Sequence, residues 1–351
     1  MMIYNNMDRR TALCLFMERT IPCNSLWRNT VGERPRIVVV GSANVDLIMK
    51  VQRVPEPGET VPEGSFSVAA GGKGANQAVT LARLGADVHF VGRVGNDHFG
   101  AFEEESLKKA GVSISMIARD DSAHTGTVII LVDRDGQNAM IPDFGANMHL
   151  SESDIECATD LIRDSDMLLL QFEVPEAANQ RALDIARDAS VPVVLNPAPC
   201  LPSDLEMLKR ASISTPNLVE AEALACLADG AENGHTDSNG VEDRARAAGR
   251  KLIEAGAGSI VITMGENGSL FVSEGETRPF GTYNVKAVDA TAAGDSYTAA
   301  LAYCMVNGNP IEEAVRFASA AAAITVSRQG AQPSLPTKKE VMEFIRKRNT
   351  G

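Results

Sequence analysis

Tryptophan occurs once in 351 residues, and basic side chains are outnumbered by acidic ones, 33 to 46, for a formal net charge of −13. A general polyanion binder carries the opposite sign, which argues against nucleic acid as a partner. A small anionic ligand stays open, because a local pocket can differ in sign from the whole surface. Cysteine is sparse and scattered: the six, at positions 14, 23, 157, 200, 226 and 304, form no C-x-x-C pair. The five histidines form no H-E-x-x-H. Neither a disulfide framework nor a structural zinc site is indicated. Isolated thiols of this kind read as small core residues in a reducing compartment, and we expect a cytoplasmic protein. No apolar run approaches the roughly 18 residues of a membrane helix. The run Ala12–Met17 is short for a signal-peptide core, and no clean cleavage site follows it. There is no Walker A loop, no G-x-G-x-x-G after the first strand and no repeat with a period of about 20–50 residues.

What remains is an ordinary globular composition, 44% apolar and 23% charged, on a chain long enough to bury a large core. Residues 1–34 stand apart, with five arginines, no lysine and three acids. They read as a disordered extension, an upstream start or a transit segment, outside a domain spanning 35–349. The domain opens on Arg36-Ile37-Val38-Val39-Val40-Gly41, a buried-strand pattern. Further strands are predicted at 87–92, 166–170, 192–195, 212–215 and 259–263, with short ones around 268–287. Helices are predicted at 74–84, 98–110, 151–163, 175–189, 218–228, 242–255, 293–307, 310–327 and 337–347. This alternation implies βαβ units and a mostly parallel sheet covered on both faces. Two segments break the rule. Residues 45–70 carry repeated Pro and Gly, and 125–142 hold the turn Asp133-Arg134-Asp135-Gly136. The simplest arrangement pairs them into a small separate sheet, a lid beside a cleft. Residues 229–241, rich in Gly, Asn and Asp, read as a surface loop.

Six segments carry candidate chemistry. In Asp289-Ala290-Thr291-Ala292-Ala293-Gly294-Asp295, small residues leave amides bare at the start of an alanine-rich helix. Such a terminus receives an anion, and Asp295 in its first turn is either a dipole partner or a hydroxyl-activating base. Gly71-Gly72-Lys73-Gly74-Ala75-Asn76-Gln77 is either a tight turn or a close approach to a polar ligand. Gly41-Ser42-Ala43-Asn44-Val45-Asp46 follows the first strand, where ligands of open α/β sheets sit. Asn44 and Asp46 face one side of an extended chain, suited to vicinal hydroxyls or to an Asx turn. Gln171-Phe172-Glu173 and Asn217-Leu218-Val219-Glu220 also follow strands. Asn217 with Glu220 makes a helix capping box, a metal–phosphate contact, or both. Thr263-Met264-Gly265-Glu266-Asn267-Gly268 is a turn after a strand. Polar or glycine-rich segments at several strand ends of one sheet are what a substrate-plus-phosphate cleft produces.

Over about residues 36–347 the chain resembles the PfkB carbohydrate kinase family, and within it the ribokinase group. The resemblance rests on 71–77 and 289–295, supported by 41–46, Asn196-Pro197-Ala198-Pro199 and Gly330-Ala331-Gln332-Pro333-Ser334. It implies a ribokinase-like α/β/α sandwich with a mostly parallel central sheet and a small β-sheet lid. It also implies transfer of phosphate from ATP to O5 of D-ribose, with Mg²⁺ and an activating K⁺. By the family's pattern Asn44, Val45, Asp46, Gly72, Lys73, Gly74, Ala75, Asn76 and Glu173 would hold the sugar. Asp295 would be the base, and the amides of Ala292, Ala293, Gly294 and Asp295 the anion hole. Asn217, Thr263, Met264, Gly265, Glu266, Asn267, Gly268, Gly294 and Ser319 would lie along the nucleotide. Glu220 would act on magnesium and phosphate indirectly. Asp289, Thr291, Thr325, Arg328, Gly330 and Ser334 match the monovalent-cation positions, several through carbonyls. Ser319 departs from the histidine that many such members place against adenine. The resemblance further implies a homodimer through the lid.

Rivals remain: a sibling kinase for another small sugar such as 2-deoxyribose, or a non-catalytic sugar-binding regulator on the same fold. A nucleoside kinase fits less well, because the lid is poor in aromatics that would stack a base.

Overall fold

The computed structural model describes residues 34–62, 64–134, 138–200, 204–228 and 240–349. Residues 1–33, the Asp135–Gly136 part of the expected turn and 229–239 of the expected loop lie outside them. The chain runs β1 (Arg36–Val40), β2 (Asn44–Lys50), β3 (Ser65–Gly71), α1 (Lys73–Leu84), β4 (Asp87–Gly95), α2 (His98–Ala110), β5 (Ser113–Asp120), β6 (Gly126–Val132) and β7 (Asn138–Asp143). Next come α3 (Glu152–Cys157), α4 (Thr159–Arg163), β8 (Met167–Gln171), α5 (Glu176–Ala189), β9 (Val193–Asn196), α6 (Asp204–Arg210), β10 (Ile213–Ser214) and α7 (Leu218–Ala228). It finishes with α8 (Val241–Glu254), β11 (Ser259–Thr263), β12 (Ser269–Ser273), β13 (Glu276–Phe280), α9 (Ala293–Val306), α10 (Ile311–Val326) and α11 (Lys338–Asn349).

Nine strands form one sheet in the order β13-β12-β11-β10-β9-β8-β1-β4-β5. From β11 to β5 every neighbouring pair is parallel, and β12 and β13 add an antiparallel edge. The valine run of β1 shows why the sheet sits between two helical layers. Ile37 and Val39 pack into one core with Leu81 of α1, Leu107 of α2, Leu301 of α9 and Val315 of α10. Val38 and Val40, pointing the other way, join Ile155 of α3, Leu183 of α5, Leu224 of α7 and Leu252 of α8. A strand buried on both faces has no polar positions to alternate, hence the continuous apolar run.

The second sheet has the order β3-β2-β6-β7. β2 pairs antiparallel with β3 and parallel with β6, so segments 45–70 and 125–142 do meet. The chain passes back from this sheet through Gly72, whose φ of 86° lies in the left-handed region. A Cβ there would come within 2.7 Å of the Asn44 nitrogen, and one on Gly74 within 2.7 Å of the Ser42 nitrogen. Both glycines let the start of α1 press against the exit of β1.

Some elements depart from expectation. The single helix expected over 151–163 is two, because Ala158 leaves helical ψ between them (φ −94°, ψ 8°), and Ile155 and Ile162, one from each, are both buried. The edge strand β5 lacks a clean alternation, being half-exposed along most of its length, and carries little strand signal. α6 was not predicted. The strand expected at 212–215 narrows to Ile213–Ser214. The strands expected through 287 stop at Phe280, and 281–287 form no strand.

Candidate active site

The parallel strands end along one edge of the large sheet, and the polar segments collect there. The first turn of α9 supplies Asp295, which is buried. Asn76 donates to its Oδ2 at 2.9 Å and Gln77 to its Oδ1 at 3.4 Å, both from the first turns of α1. Gln77 also donates to Asn196 at the end of β9, at 3.1 Å, and accepts from Gln171 at the end of β8, at 2.7 Å. Asn196 in turn donates to the Thr215 carbonyl, and Thr215 shares a hydrogen bond with Thr298 of α9. This chain of amides holds the Asp295 carboxylate with two donors. The N-terminal geometry is unusual: Ala292, just before the helix, takes φ 60° and ψ 10°. A non-glycine residue in the left-handed region is a local cost, of a kind found at functional sites. The Ala293 amide, expected to join the anion hole, donates instead to the Ala290 carbonyl at 3.2 Å. The amides of Gly294 and Asp295 lie in the first turn, where no intrahelical acceptor exists.

Above this floor sits a second acidic centre. Glu173 accepts from Ser42 Oγ at 2.5 Å, the Lys73 amide at 3.2 Å and Asn44 Nδ2 at 3.3 Å. Asn44 Oδ1 accepts from Asn147, which also bonds the Ala43 amide and carbonyl and the Phe144 carbonyl. The rotamer of Asn44 is therefore fixed at both ends. Asp46 is buried, and its burial, then the charges of Glu173, Asp295 and Asp289, push its pKa up to about 7. Burial likewise raises Asp295, against the pull of Lys73 and the amides of Asn76 and Gln77. Burial alone would lower Lys73; the carboxylates of Asp295, Glu173 and Glu220 outweigh it and hold the ammonium charged. Three carboxylates around one lysine, with Asn76 Oδ1 and Gln171 Oε1 buried and unpartnered, form a site dense in hydroxyl partners. Val45 and Ala75 are wholly buried apolar residues and offer the site only backbone.

A cavity of about 730 Å³ opens beside Gly294. Thr263 and the 265–268 turn form one wall, Gly281–Val285 a second, and Ser319, Ala322, Ala323 and Val326 of α10 a third. The size suits a small-molecule ligand. Sequence reasoning missed the second wall, having read it as strand. It also missed Tyr297, which lines the cavity and donates to Ser269 Oγ at 2.9 Å, with Ser319 as a further partner. Asn217 and Glu220 realise the capping box: the Glu220 amide donates to Asn217 Oδ1 at 2.9 Å and the Asn217 amide to Glu220 Oε2 at 2.8 Å.

Asp289 ties two loops together. Its Oδ1 accepts from the Thr291 amide and hydroxyl, and its Oδ2 from the Gly330 amide. These bonds outweigh burial and keep its carboxyl below the usual range. Thr325 and Ser334 spend their hydroxyls on the Ala321 and Ala331 carbonyls, and the Arg328 guanidinium pairs with Glu340. The hydroxyl and guanidinium groups at the positions matched to a monovalent cation are thus engaged within the protein. Among the described residues no group of three or more His, Cys, Asp or Glu is placed to hold a metal. A divalent ion would fit only alongside ligand phosphates, with few protein contacts of its own.

A family model, described as pfkB family carbohydrate kinase, matches residues 34–338. The chain is 36% identical over 312 residues to a ribokinase of Haemophilus influenzae, covering 89% of this chain and 99% of that one. It is 31% identical over 310 residues to a deoxyribokinase of Salmonella typhi, covering 88% and 98%. Its fold is similar to that of Arabidopsis thaliana ribokinase complexed with ribose and ATP, with TM-score 0.78, 33% identity, and 90% and 99% coverage.

Proposed function

The chain belongs to the pfkB family of carbohydrate kinases, and from that premise we propose that it transfers the γ-phosphoryl group of ATP to O5 of D-ribose, giving D-ribose 5-phosphate and ADP. The observation that carries the reading is the placement of Asp295. Its carboxyl sits in the first turn of α9 beside amides with no intrahelical partner, and it is held by Asn76 and Gln77 from the glycine-rich segment. A carboxyl, a helix terminus with free amides and a glycine-rich loop meet at one point, which supports in-line phosphoryl transfer.

In this reading Asp295 takes the O5 proton as that oxygen attacks phosphorus. The Gly294 and Asp295 amides receive the charge that develops on the phosphoryl oxygens. Asn44, Asp46, Lys73, Asn76 and Glu173 orient the sugar, and the cavity beside Gly294 takes the nucleoside. Mg²⁺ bound with the phosphates would neutralise their charge, near Glu220. A monovalent cation would sit between the 289–291 and 325–334 segments, on carbonyls ordered by Asp289. The second sheet covers the sugar, so that ATP is not spent on water.

The test is ADP release with ATP and Mg²⁺ across ribose, 2-deoxyribose, fructose and adenosine, in K⁺ or Na⁺. Ribose is expected to turn over best, and faster in K⁺. Preference for 2-deoxyribose, the reading favoured by the Salmonella relative, keeps the mechanism and moves the substrate. Binding of ribose without any turnover returns the regulator.

The second sheet also supports a dimer. Val68, Leu47, Ile129 and Ile141 lie in register across its four strands, and Phe66 is next along β3 on the same face. Phe66, Val68, Ile129 and Ile141 are all exposed. Exposed apolar residues aligned this way mark an interaction surface, and a second copy of the chain covers it with the same face. Light scattering is expected to give twice the 37.3 kDa chain mass. Charged substitution at Ile129 and Ile141 is expected to give the monomer; a monomeric parent rejects the interface.

A further inference from the structure

We propose that Glu103 is a positioning residue for the sugar site: its buried carboxyl pins the Gly71 amide and so holds the Gly71–Gly72 backbone, against which Asp46 lies, in its sugar-binding geometry. The proposal rests on the sugar reading above.

Glu103 belongs to α2, outside every segment assigned to substrate, nucleotide or cation, and is completely buried. A glutamate is almost never buried so fully without a charged partner, and Glu103 has none. Its Oε1 accepts from the Gly71 amide at 3.1 Å, and its Oε2 has no hydrogen-bond partner. The neighbouring Glu104, by contrast, is paired with Arg119. An apolar side chain at position 103 would satisfy the core at lower cost, so the carboxyl calls for a local reason.

Gly71 supplies one. It is the last residue of β3, opposite Asn44 in the β2–β3 register, and the step before the left-handed Gly72 and the Lys73 amide that reaches Glu173. A Cβ on Gly71 would lie 2.6 Å from Asp46 Oδ2, so the Asp46 carboxyl rests against this backbone. Holding the Gly71 amide therefore fixes the distance between two groups assigned to the sugar, Asp46 and Lys73. Burial, with the charge of Asp46 adding to it, drives the Glu103 pKa well above the carboxylate range. In the neutral form that burial favours, Glu103 still accepts from the Gly71 amide and adds no second charge next to Asp46.

Glutamine keeps an acceptor for the Gly71 amide and carries no charge; methionine keeps volume and loses the acceptor. Parent, Glu103→Gln and Glu103→Met are compared by steady-state kinetics and thermal melting. The Met variant is expected to raise the KM for ribose about fivefold or more, the worth of one buried hydrogen bond. The KM for ATP and kcat should hardly change, and the Gln variant should restore the parental KM. A parental ribose KM in the Met variant overturns the inference. So does a common rise in both KM values with a lowered melting temperature, the mark of a merely structural role. Should the Met variant not fold, the Gln variant decides: an elevated ribose KM there overturns the inference, because a neutral acceptor would not have sufficed. A parent that does not phosphorylate ribose fails at the earlier step, and rejects the sugar reading itself.

Discussion

Asp295→Asn is expected to lower kcat by roughly 10²–10⁴, the usual worth of a positioned general base, while ATP binding measured by calorimetry stays within a few-fold of the parent. The argument turns on what the substitution leaves in place. Asparagine retains one acceptor, and the shorter bond, from Asn76 at 2.9 Å, claims it. The amide NH₂ then faces Gln77 Nε2, which is also a donor. Gln77 cannot simply turn over, because its own oxygen is held by Gln171 at 2.7 Å. The mismatch is confined to a contact of 3.4 Å, weak already in the parent. The α9 terminus, with its Gly294 amide, is untouched, so the proposed nucleotide site is expected to survive. Removing a buried carboxylate that burial disfavours also spares the fold, although Lys73 loses one of its three compensating charges. Turnover near the parental rate in this variant would sink the assignment of the base, because nothing else on the site's floor replaces it.

How much of this was legible beforehand depends on whether the signal was local. The Val38–Val40 run, the glycines at 72 and 74 and the Asn217–Glu220 spacing are local, and each appears as a buried strand, a close approach and a capping box. The split of the chain into a parallel sheet and a second small one was also readable, because the 45–70 and 125–142 patterns do not fit buried parallel strands. The amide chain from Asp295 through Gln77 to Gln171 and Asn196 was not, since its members come from four separate places in the sequence. Nothing in the sequence marks Ala292 for a left-handed backbone; glycine would be the usual residue there. Glu103 hid in the acidic run Glu103-Glu104-Glu105, which reads as a solvated helix face. Its spacing from Gly100 and Leu107 carried the missed signal, because these share the buried stripe of α2 with it. The cavity wall at 281–285 was lost to a strand assignment, since β-branched and aromatic residues serve a loop over a pocket as readily as a strand.

The KM for ribose is expected to rise as pH falls through about 7, approaching tenfold per unit on the acid side, with the Asp46→Asn variant flat over the same range. An ionised carboxylate accepts sugar hydroxyls on both oxygens, and hydroxyl donors favour that form. In the free protein burial and the charges of Glu173, Asp295 and Asp289 favour the neutral form up to about pH 7. Below that, ribose bound as proposed would release a proton from Asp46, and the affinity is expected to fall by the fraction protonated. Asp295 titrates in the same direction, but in its proposed role as base it would govern kcat, so the two limbs are expected to separate in the kinetics. The same shift sets a stability trend of opposite sense. The folded pKa of Asp46 lies above its unfolded value of 3.8, so its contribution is most favourable below about pH 4 and is lost as pH rises towards 7. At pH 8 the Asn variant, which carries no charge to bury, is expected to be the more stable protein, by about 4 kcal/mol at the upper bound. Chemical denaturation at pH 8 and again at pH 4, where the advantage should vanish, checks this without reference to activity. A ribose KM that instead rises above pH 7 would mean that the sugar takes Asp46 as a neutral donor, and the hydroxyl-accepting role would pass to Glu173.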